Sequence, residues 1–343
     1  MVPFDTRRRN LYQKTNSDSL LGTMRVYVTG CNGWIGQEVC KFLAGRGVEV
    51  FGGDVQERVC PRLIKAVEVT YFSIDIRSPL LKLDYKIDAV IHCAGYAHRP
   101  NETPEEQAMF YAVNRDGTKN VLDWCERQGV GRFLYVSSIA FYDWRRSGGL
   151  LVREDHRIYL PTHYAKSKYE GEMLVRESSI DWRVVRLATV FGDGDRANFS
   201  RMARAMKKRM FPILGKGDAR KTVIPVDLAA QLIADFCLLD NPPHRLINVG
   251  LPSPLSLYEL TEAYHKCCEF PRCFRVPMPA ARLMGAGGSL AAKILGKFPF
   301  TSDTLRKLTT DTVVSVDRML ECFPNKDFNS FEDYLLKCTD WYK

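Results

Sequence analysis

Tyr164 and Lys168 stand four residues apart in Tyr164-Ala165-Lys166-Ser167-Lys168, inside a stretch (162–177) whose pattern predicts a helix. At that spacing both side chains leave one face, which brings an ammonium beside a phenol. A free tyrosine ionises near pH ~10. A neighbouring positive charge stabilises the tyrosinate and moves it toward the pH at which it takes a proton from a hydroxyl. Ser138, in Val136-Ser137-Ser138-Ile139-Ala140 at the end of an apolar run (132–136), supplies a hydroxyl able to bond the same substrate oxygen. Together these residues suit proton removal from an alcohol. The tyrosine–lysine spacing recurs by chance in many helices, so the elements that position it must decide.

Those elements alternate. Short apolar runs at 25–29, 48–53, 67–74, 88–94, 132–136 and 182–187 read as strands, and helical stretches are predicted at 33–46, 104–127 and 162–177. Strands separated by helices imply crossover units, so the fold class is α/β: a doubly wound parallel sheet of the Rossmann kind, with a smaller C-terminal α/β substrate lobe. The expected organisation is a tail at 1–23, a dinucleotide-binding domain at 24–187 and a lobe at 188–343, some of whose elements return to the first domain.

The dinucleotide reading comes from Gly30-Cys31-Asn32-Gly33-Trp34-Ile35-Gly36, a GxxGxxG spacing that follows the first strand and opens a helix. Gly30 allows the sharp turn, Gly33 lets backbone N–H groups approach a pyrophosphate, and Gly36 permits close helix–strand packing. The next strand ends in Gly52-Gly53-Asp54, where a carboxylate can accept from an adenosine ribose diol. A carboxylate there repels a 2′-phosphate, so NAD is favoured, with Arg58 the feature that suits NADP. Asp75, followed by Ile76 after the third strand, is placed to cap the adenine amino group, although a loop aspartate would look the same. A bound nicotinamide adds its positive charge to that of Lys168 beside Tyr164.

Composition narrows the alternatives. The 343 residues are 45% hydrophobic, enough for a sizeable core, and no apolar run reaches the length of a membrane span. The net charge of +9 favours anionic partners, but apart from Arg7-Arg8-Arg9 and Lys207-Lys208-Arg209 the excess is scattered, and no nucleic-acid module accompanies it. Eleven cysteines without a CxxC pair, several in apolar runs, fit a reducing cytosol, and Cys267, Cys268 and Cys273 lack a histidine pair at metal-ligand spacing. The segment 1–23 has no signal-peptide core and reads either as a flexible tail or as residues upstream of a second start at Met24. Helices are expected at 197–208, 227–239, 256–268 and 331–338. The stretch 280–296, rich in alanine, leucine and glycine, is expected to pack on the smaller lobe rather than to lie on a membrane.

The sequence resembles the extended short-chain dehydrogenase/reductase superfamily, specifically its NAD-dependent sugar epimerase/dehydratase family, from Met24 to about Asp333. The resemblance rests on the glycine loop, the serine pair and the tyrosine–lysine pair in that chain order. It extends to Val90-Ile91-His92-Cys93-Ala94-Gly95, Val113-Asn114-Arg115-Asp116-Gly117-Thr118, the 186–195 segment, Leu214-Gly215-Lys216-Gly217 and Ile247-Asn248-Val249-Gly250. It implies hydride transfer between NAD and a carbon of a nucleotide-linked sugar. Tyr164 would take the 4-hydroxyl proton, Lys168 would bond the nicotinamide ribose, Ser138 would bond O4, and Asn114 would brace the network. Cys93, Ala94 and Gly95 would border the coenzyme, Thr189 and Asn198 the substrate, and Arg220 the diphosphate. Asn114 as a helix-interior bond, Arg220 as a surface cation and Asn198 as a helix cap are the plainer readings of the same residues.

Ile139 and Ala140 stand where dehydratases of this family carry acids, which argues against dehydration. Thr189 and Leu187 also depart from the pattern, at positions where asparagine and proline are usual. The run 92–99, the run 194–199 and the segment 308–317 most resemble bacterial surface-polysaccharide members. The leading expectation is a cytoplasmic UDP-sugar 4-epimerase that recycles NAD, with no metal. Its rival is an NAD(P)H-dependent reductase of 4-keto nucleotide sugars. Further alternatives are a hydroxysteroid-type dehydrogenase and a regulator that only binds the cofactor. The resemblance also implies a homodimer paired through 104–127 and 162–177 in a four-helix interface.

Overall fold

A computed structural model of the chain describes residues 24–97, 103–147, 149–296, 298 and 300–343. The expected tail, its Arg7-Arg8-Arg9 and the positions His98 and Arg99 lie outside the described residues.

Six strands follow the sequence reading: β1 (Arg25–Thr29), β2 (Glu49–Asp54), β3 (Thr70–Ser73), β4 (Ala89–His92), β5 (Arg132–Ser138) and β6 (Asp181–Leu187). Short strands β7 (Thr189–Phe191), β8 (Pro212–Leu214), β9 (Arg220–Lys221) and β10 (Val223–Pro225) come next, then β11 (Leu246–Val249), β12 (Leu255–Ser256) and β13 (Phe274–Val276). β11 joins the first six in one sheet of order β3-β2-β1-β4-β5-β6-β11, all pairs parallel. The chain thus forms a Rossmann-like α/β sheet with helices on both faces.

The helices are α1 (Trp34–Gly45), α2 (Pro61–Ile64), α3 (Pro104–Tyr111), α4 (Gly117–Gln128), α5 (His163–Glu177), α6 (Asn198–Lys207) and α7 (Val226–Leu238). Beyond them lie α8 (Leu257–Cys268), α9 (Met278–Leu295), α10 (Ser302–Thr309), α11 (Asp317–Cys322), α12 (Phe331–Leu336) and α13 (Thr339–Tyr342).

Alternation along β1 assigns the two faces of the sheet. Val26 and Val28 enter a core with Val39, Cys40 and Leu43 of α1 and Leu232, Ile233 and Phe236 of α7. Tyr27 turns to the other side, with Val121, Leu122 and Trp124 of α4 and Val175 of α5. His92, fully buried on β4, ties the sheet to α4 through Thr29 Oγ1 at 2.7 Å and Thr118 Oγ1 at 3.1 Å.

Two departures from the sequence reading bear on the site. β5 runs to Ser138 rather than ending at Val136, and Ser138 pairs with Leu187 of β6. The helix expected over 104–127 is broken by a π-helical turn, Ala112–Asp116, between α3 and α4. That turn presses against α5 where Gly171 leaves room, since a Cβ on Gly171 would fall 2.2 Å from the Asn114 carbonyl oxygen.

Candidate active site

The site lies at the carboxyl ends of the strands, where the order reverses between β1 and β4. Gly30 takes φ +68°, and a Cβ on it would meet the Ala94 backbone at 2.7 Å. A Cβ on Gly36 would fall 2.1 Å from the Gly30 carbonyl oxygen, so α1 can enter only with glycine there. Gly33 caps α1 without a side-chain hydrogen bond, and the first turn carries no acid. The helix N-terminus therefore keeps N–H groups and positive dipole for an anion, which fits the pyrophosphate of a dinucleotide.

This loop forms one wall of a cavity of about 460 Å³, with Gly30, Gly33, Trp34, Ile35 and Gly36 in its lining. Cys93 and Gly95 border it from the end of β4, and Ser138, Tyr164 and Lys168 line it from β5 and α5. Thr162 caps α5 by accepting from the Ala165 amide at 3.1 Å, which fixes where Tyr164 and, one turn on, Lys168 emerge. Ser138 accepts the Ala140 amide at 3.1 Å, and its hydroxyl lies close enough to Tyr164 to favour the ionised phenol slightly.

The electrostatics differ from the expectation in one respect. Burial raises the Tyr164 phenol above its ordinary pKa, and Ser138 offsets this only in part. The Lys168 ammonium donates to the Val136 carbonyl at 2.8 Å, lies 4.1 Å from the centre of the Tyr135 ring, and is lowered to about 8 by burial. In the coenzyme-free chain the burial of Tyr164 outweighs every charge around it. A bound dinucleotide would add positive charge on the side of the cavity that Lys168 borders.

Beneath this wall runs a buried polar network. Glu172 receives Arg186 through two bonds, 3.0 and 2.6 Å, and Ser137 Oγ at 2.7 Å. Arg186 continues to Tyr142 Oη and the Glu154 carbonyl, both at 2.7 Å, and Tyr142 donates to Asn248 Oδ1 at 2.7 Å. These bonds lock β5, β6, β11 and α5 together under Ser138 and Lys168.

The other expected residues divide. Thr189 and Asn198 line the cavity, and Asn198 is the first residue of α6 rather than its cap. The buried Asp195 carboxylate binds the Ala197 amide at 2.7 Å and the Ser200 amide at 2.6 Å at that helix end. Asn114 accepts the Tyr96 amide at 2.8 Å and donates to the Tyr96 carbonyl and Ser167 Oγ, both at 3.0 Å. It braces the turn after Gly95 against α5 and does not line the cavity.

Asp54, at the end of β2, accepts the Asn32 amide at 3.1 Å beside the loop. The Asn32 side chain turns away, donating to the Arg58 carbonyl at 3.0 Å and accepting the Cys60 amide at 2.7 Å. Asp75 is paired to Arg77 by two bonds of 2.9 Å, Ala94 approaches Gly30, and Ile76 is buried against Gly117. Arg220 is exposed and away from the lining, its guanidinium on the Pro254 carbonyl at 2.9 Å.

Trp144 and Thr312 line the cavity without having been foreseen. Thr312 arrives from the C-terminal segment, paired in parallel with Lys221, and nothing local in the sequence marks it. Trp34 closes the cavity by donating to the Asp193 carbonyl at 2.5 Å, a contact that Gly194 permits by packing on the indole.

Residues 26–250 match the model of the NAD dependent epimerase/dehydratase family. The chain belongs to this family. It is 28% identical to N-acetyl-alpha-D-glucosaminyl-diphospho-ditrans,octacis-undecaprenol 4-epimerase of Escherichia coli O157:H7, over 63% of this chain and 66% of that enzyme, just under two thirds of its length. It is 24% identical to UDP-glucose 4-epimerase of Vibrio cholerae (86% and 88% covered) and 27% identical to ceramide reductase of Caulobacter vibrioides (93% and 94% covered). The fold is similar to that of the Bordetella bronchiseptica enzyme WbmH in complex with NAD+, with a TM-score of 0.70 at 19% identity, covering 93% of this chain and 98% of that one. Family members are NAD-dependent by that description, and the glycine cradle here suits such a cofactor.

Proposed function

We propose that this protein is an NAD-dependent enzyme acting at C4 of a hexose carried on a nucleoside diphosphate, with 4-epimerisation of a UDP-sugar as its reaction. One observation carries the reading: Ser138, Tyr164 and Lys168 line the same cavity as the glycine loop. When bound, NAD accepts a hydride from the sugar carbon and returns it. Ser138 holds O4, Tyr164 takes the O4 proton as the carbon is oxidised and gives it back on reduction, and Lys168 supplies positive charge on the coenzyme side. Hydride and proton both return, so turnover consumes no coenzyme.

In this reading the backbone of Gly30–Gly36 receives the pyrophosphate, Asp54 the adenosine ribose, Asp75 and Ile76 the adenine, and Cys93, Ala94 and Gly95 the nicotinamide side. Thr189 and Asn198 meet the sugar. Arg220 meets the diphosphate only by leaving the Pro254 carbonyl. A homodimer through α3, α4 and α5 and a cytoplasmic location belong to the same proposal. The dehydratase alternative gains nothing, because Ile139 and Ala140 line the cavity and carry no acid.

A second reading is favoured by a specific feature. Lys168 is the only lysine or arginine among the described residues of the lining, whereas Val136, Ile139, Ala140, Leu187, Ala188 and Val190 make much of it apolar. That suits reduction of a keto group on a substrate with an apolar chain, and the ceramide reductase relative aligns over nearly the whole length. The test is to incubate purified protein with UDP- and dTDP-hexoses, their N-acetyl forms and a keto-sphingolipid, with and without NADH or NADPH, and to separate the products. Sugar interconversion without added coenzyme supports the first reading. Stoichiometric coenzyme consumption on the lipid replaces it with the second, and no turnover of any substrate contradicts both.

A further inference from the structure

The stretch at 280–296 does not pack as expected on all sides. It lies in α9, whose small residues Ala281, Gly285 and Gly288 face inward, with Ala281 and both glycines buried. A Cβ on Gly288 would fall 1.8 Å from the Phe300 carbonyl oxygen, and one on Gly285 would come within 3.4 Å of Ser302 at the start of α10. Ser289 Oγ accepts the Ser302 amide at 3.0 Å. α9 and α10 thus close on each other through the face of α9 that lacks bulk.

The bulky residues point the other way. Leu283 is 76% exposed, Met284 52%, Leu290 62% and Ile294 76%, with Phe298 at 43% just beyond the helix. Leu283, Leu290 and Ile294 are seven and four residues apart, so they form one stripe along the outer face. Exposed Arg282 and Lys293 lie together along one edge of that stripe. In the sequence, no aspartate or glutamate occurs from Phe270 to Ser302, while Arg272, Arg275, Arg282, Lys293 and Lys297 do. Among the described residues no helix is long and apolar enough to cross a membrane.

We infer that the outer face of α9 docks on a membrane surface bearing anionic headgroups, with Leu283, Leu290 and Ile294 inserted and Arg282 and Lys293 at the headgroup level. An apolar stripe edged by cations, in a segment free of acids, matches an anionic interface in both hydrophobicity and charge. A second copy of the chain fits less well, because a two-fold contact on this face would bring the same cations together without a carboxylate from the segment to separate them. The docking face belongs to the same hairpin as the cavity rim: α10 leads through Thr310, whose carbonyl accepts Lys221 Nζ at 2.5 Å, to Thr312 in the lining. The inference holds for either reading of the substrate.

The full chain is sedimented with phosphatidylcholine vesicles, with and without phosphatidylglycerol, and its mass is measured by light scattering. The expected result is binding to the anionic vesicles that weakens with salt, and that falls about tenfold or more in Leu290→Gln/Ile294→Gln at an unchanged melting temperature. Arg282→Glu/Lys293→Glu should weaken it as well. Absence of vesicle binding, equal binding to neutral vesicles, or binding that survives both pairs of substitutions overturns the inference. So does a dimer that the leucine and isoleucine substitutions split, which would make the face a contact between copies. None of these residues lines the cavity, so sugar or lipid turnover in detergent-free solution separates this outcome from the fate of the proposed reaction.

Discussion

At the residue scale the proposed chemistry rests on a phenol whose pKa burial raises in the folded chain. Burial raises Tyr164 and lowers Lys168 to about 8, so each is held in its neutral form more strongly than in water. Because the unfolded lysine keeps its proton to about pH 10.4, the unfolded chain binds more protons between about 8 and that value, and stability rises with pH across the window. The Lys168 contribution is therefore complete above the window and lost as pH falls to about 8. In the coenzyme-free protein, Lys168→Met should flatten this rise by up to about 1.4 kcal/mol per pH unit, as measured by urea unfolding at stepped pH. An unchanged slope would mean that Lys168 is solvated. If Ser138 holds the substrate oxygen as proposed, Ser138→Ala should lower kcat about 100-fold while the dinucleotide remains bound, since positioned acid–base groups contribute on that order.

At the element scale the decisive features are close approaches that only glycine permits. Gly36→Ala places a methyl carbon 2.1 Å from the Gly30 carbonyl oxygen, backbone against backbone, so α1 must shift off β1. The expected outcome is loss of dinucleotide retention together with about 1–3 kcal/mol of stability, read by calorimetry of the purified variant. This loop was legible in the sequence because its signal is local: strand, glycine spacing, helix. The tyrosine–lysine pair and Ser138 were legible for the same reason. The π-helical turn that carries Asn114 was not, because its cause is Gly171 on another helix. Thr312 and Trp144 enter the cavity through tertiary pairing, and periodicity carries no record of that. Arg220 was expected at the diphosphate from family likeness and lies on an exposed edge strand, bonded to Pro254 instead. For the stretch at 280–296, composition alone cannot say that Gly285 and Gly288 face inward and Leu283 and Leu290 outward.

At the scale of the whole molecule, the sheet brings the glycine loop and Ser138, Tyr164 and Lys168 into the lining of one cavity, to which the C-terminal segment adds Thr312. If α3, α4 and α5 form the proposed four-helix contact, light scattering should give about twice the 39.2 kDa chain mass. Charge reversal of Lys166 and Met173→Glu on the outer side of α5 should halve that mass without touching the cavity. A monomer in the unmodified protein would remove the dimer from the proposal and leave the site intact. The proposed division of labour, with Tyr164 moving the substrate proton and the dinucleotide taking the hydride, can be followed by the fluorescence of reduced nicotinamide in protein loaded with NAD and mixed with UDP-hexose. The expected result is a rise in the unmodified protein and none in Tyr164→Phe, with dinucleotide still bound in both. An equal rise in Tyr164→Phe, or no rise in either with any hydroxyl substrate that binds, would contradict it.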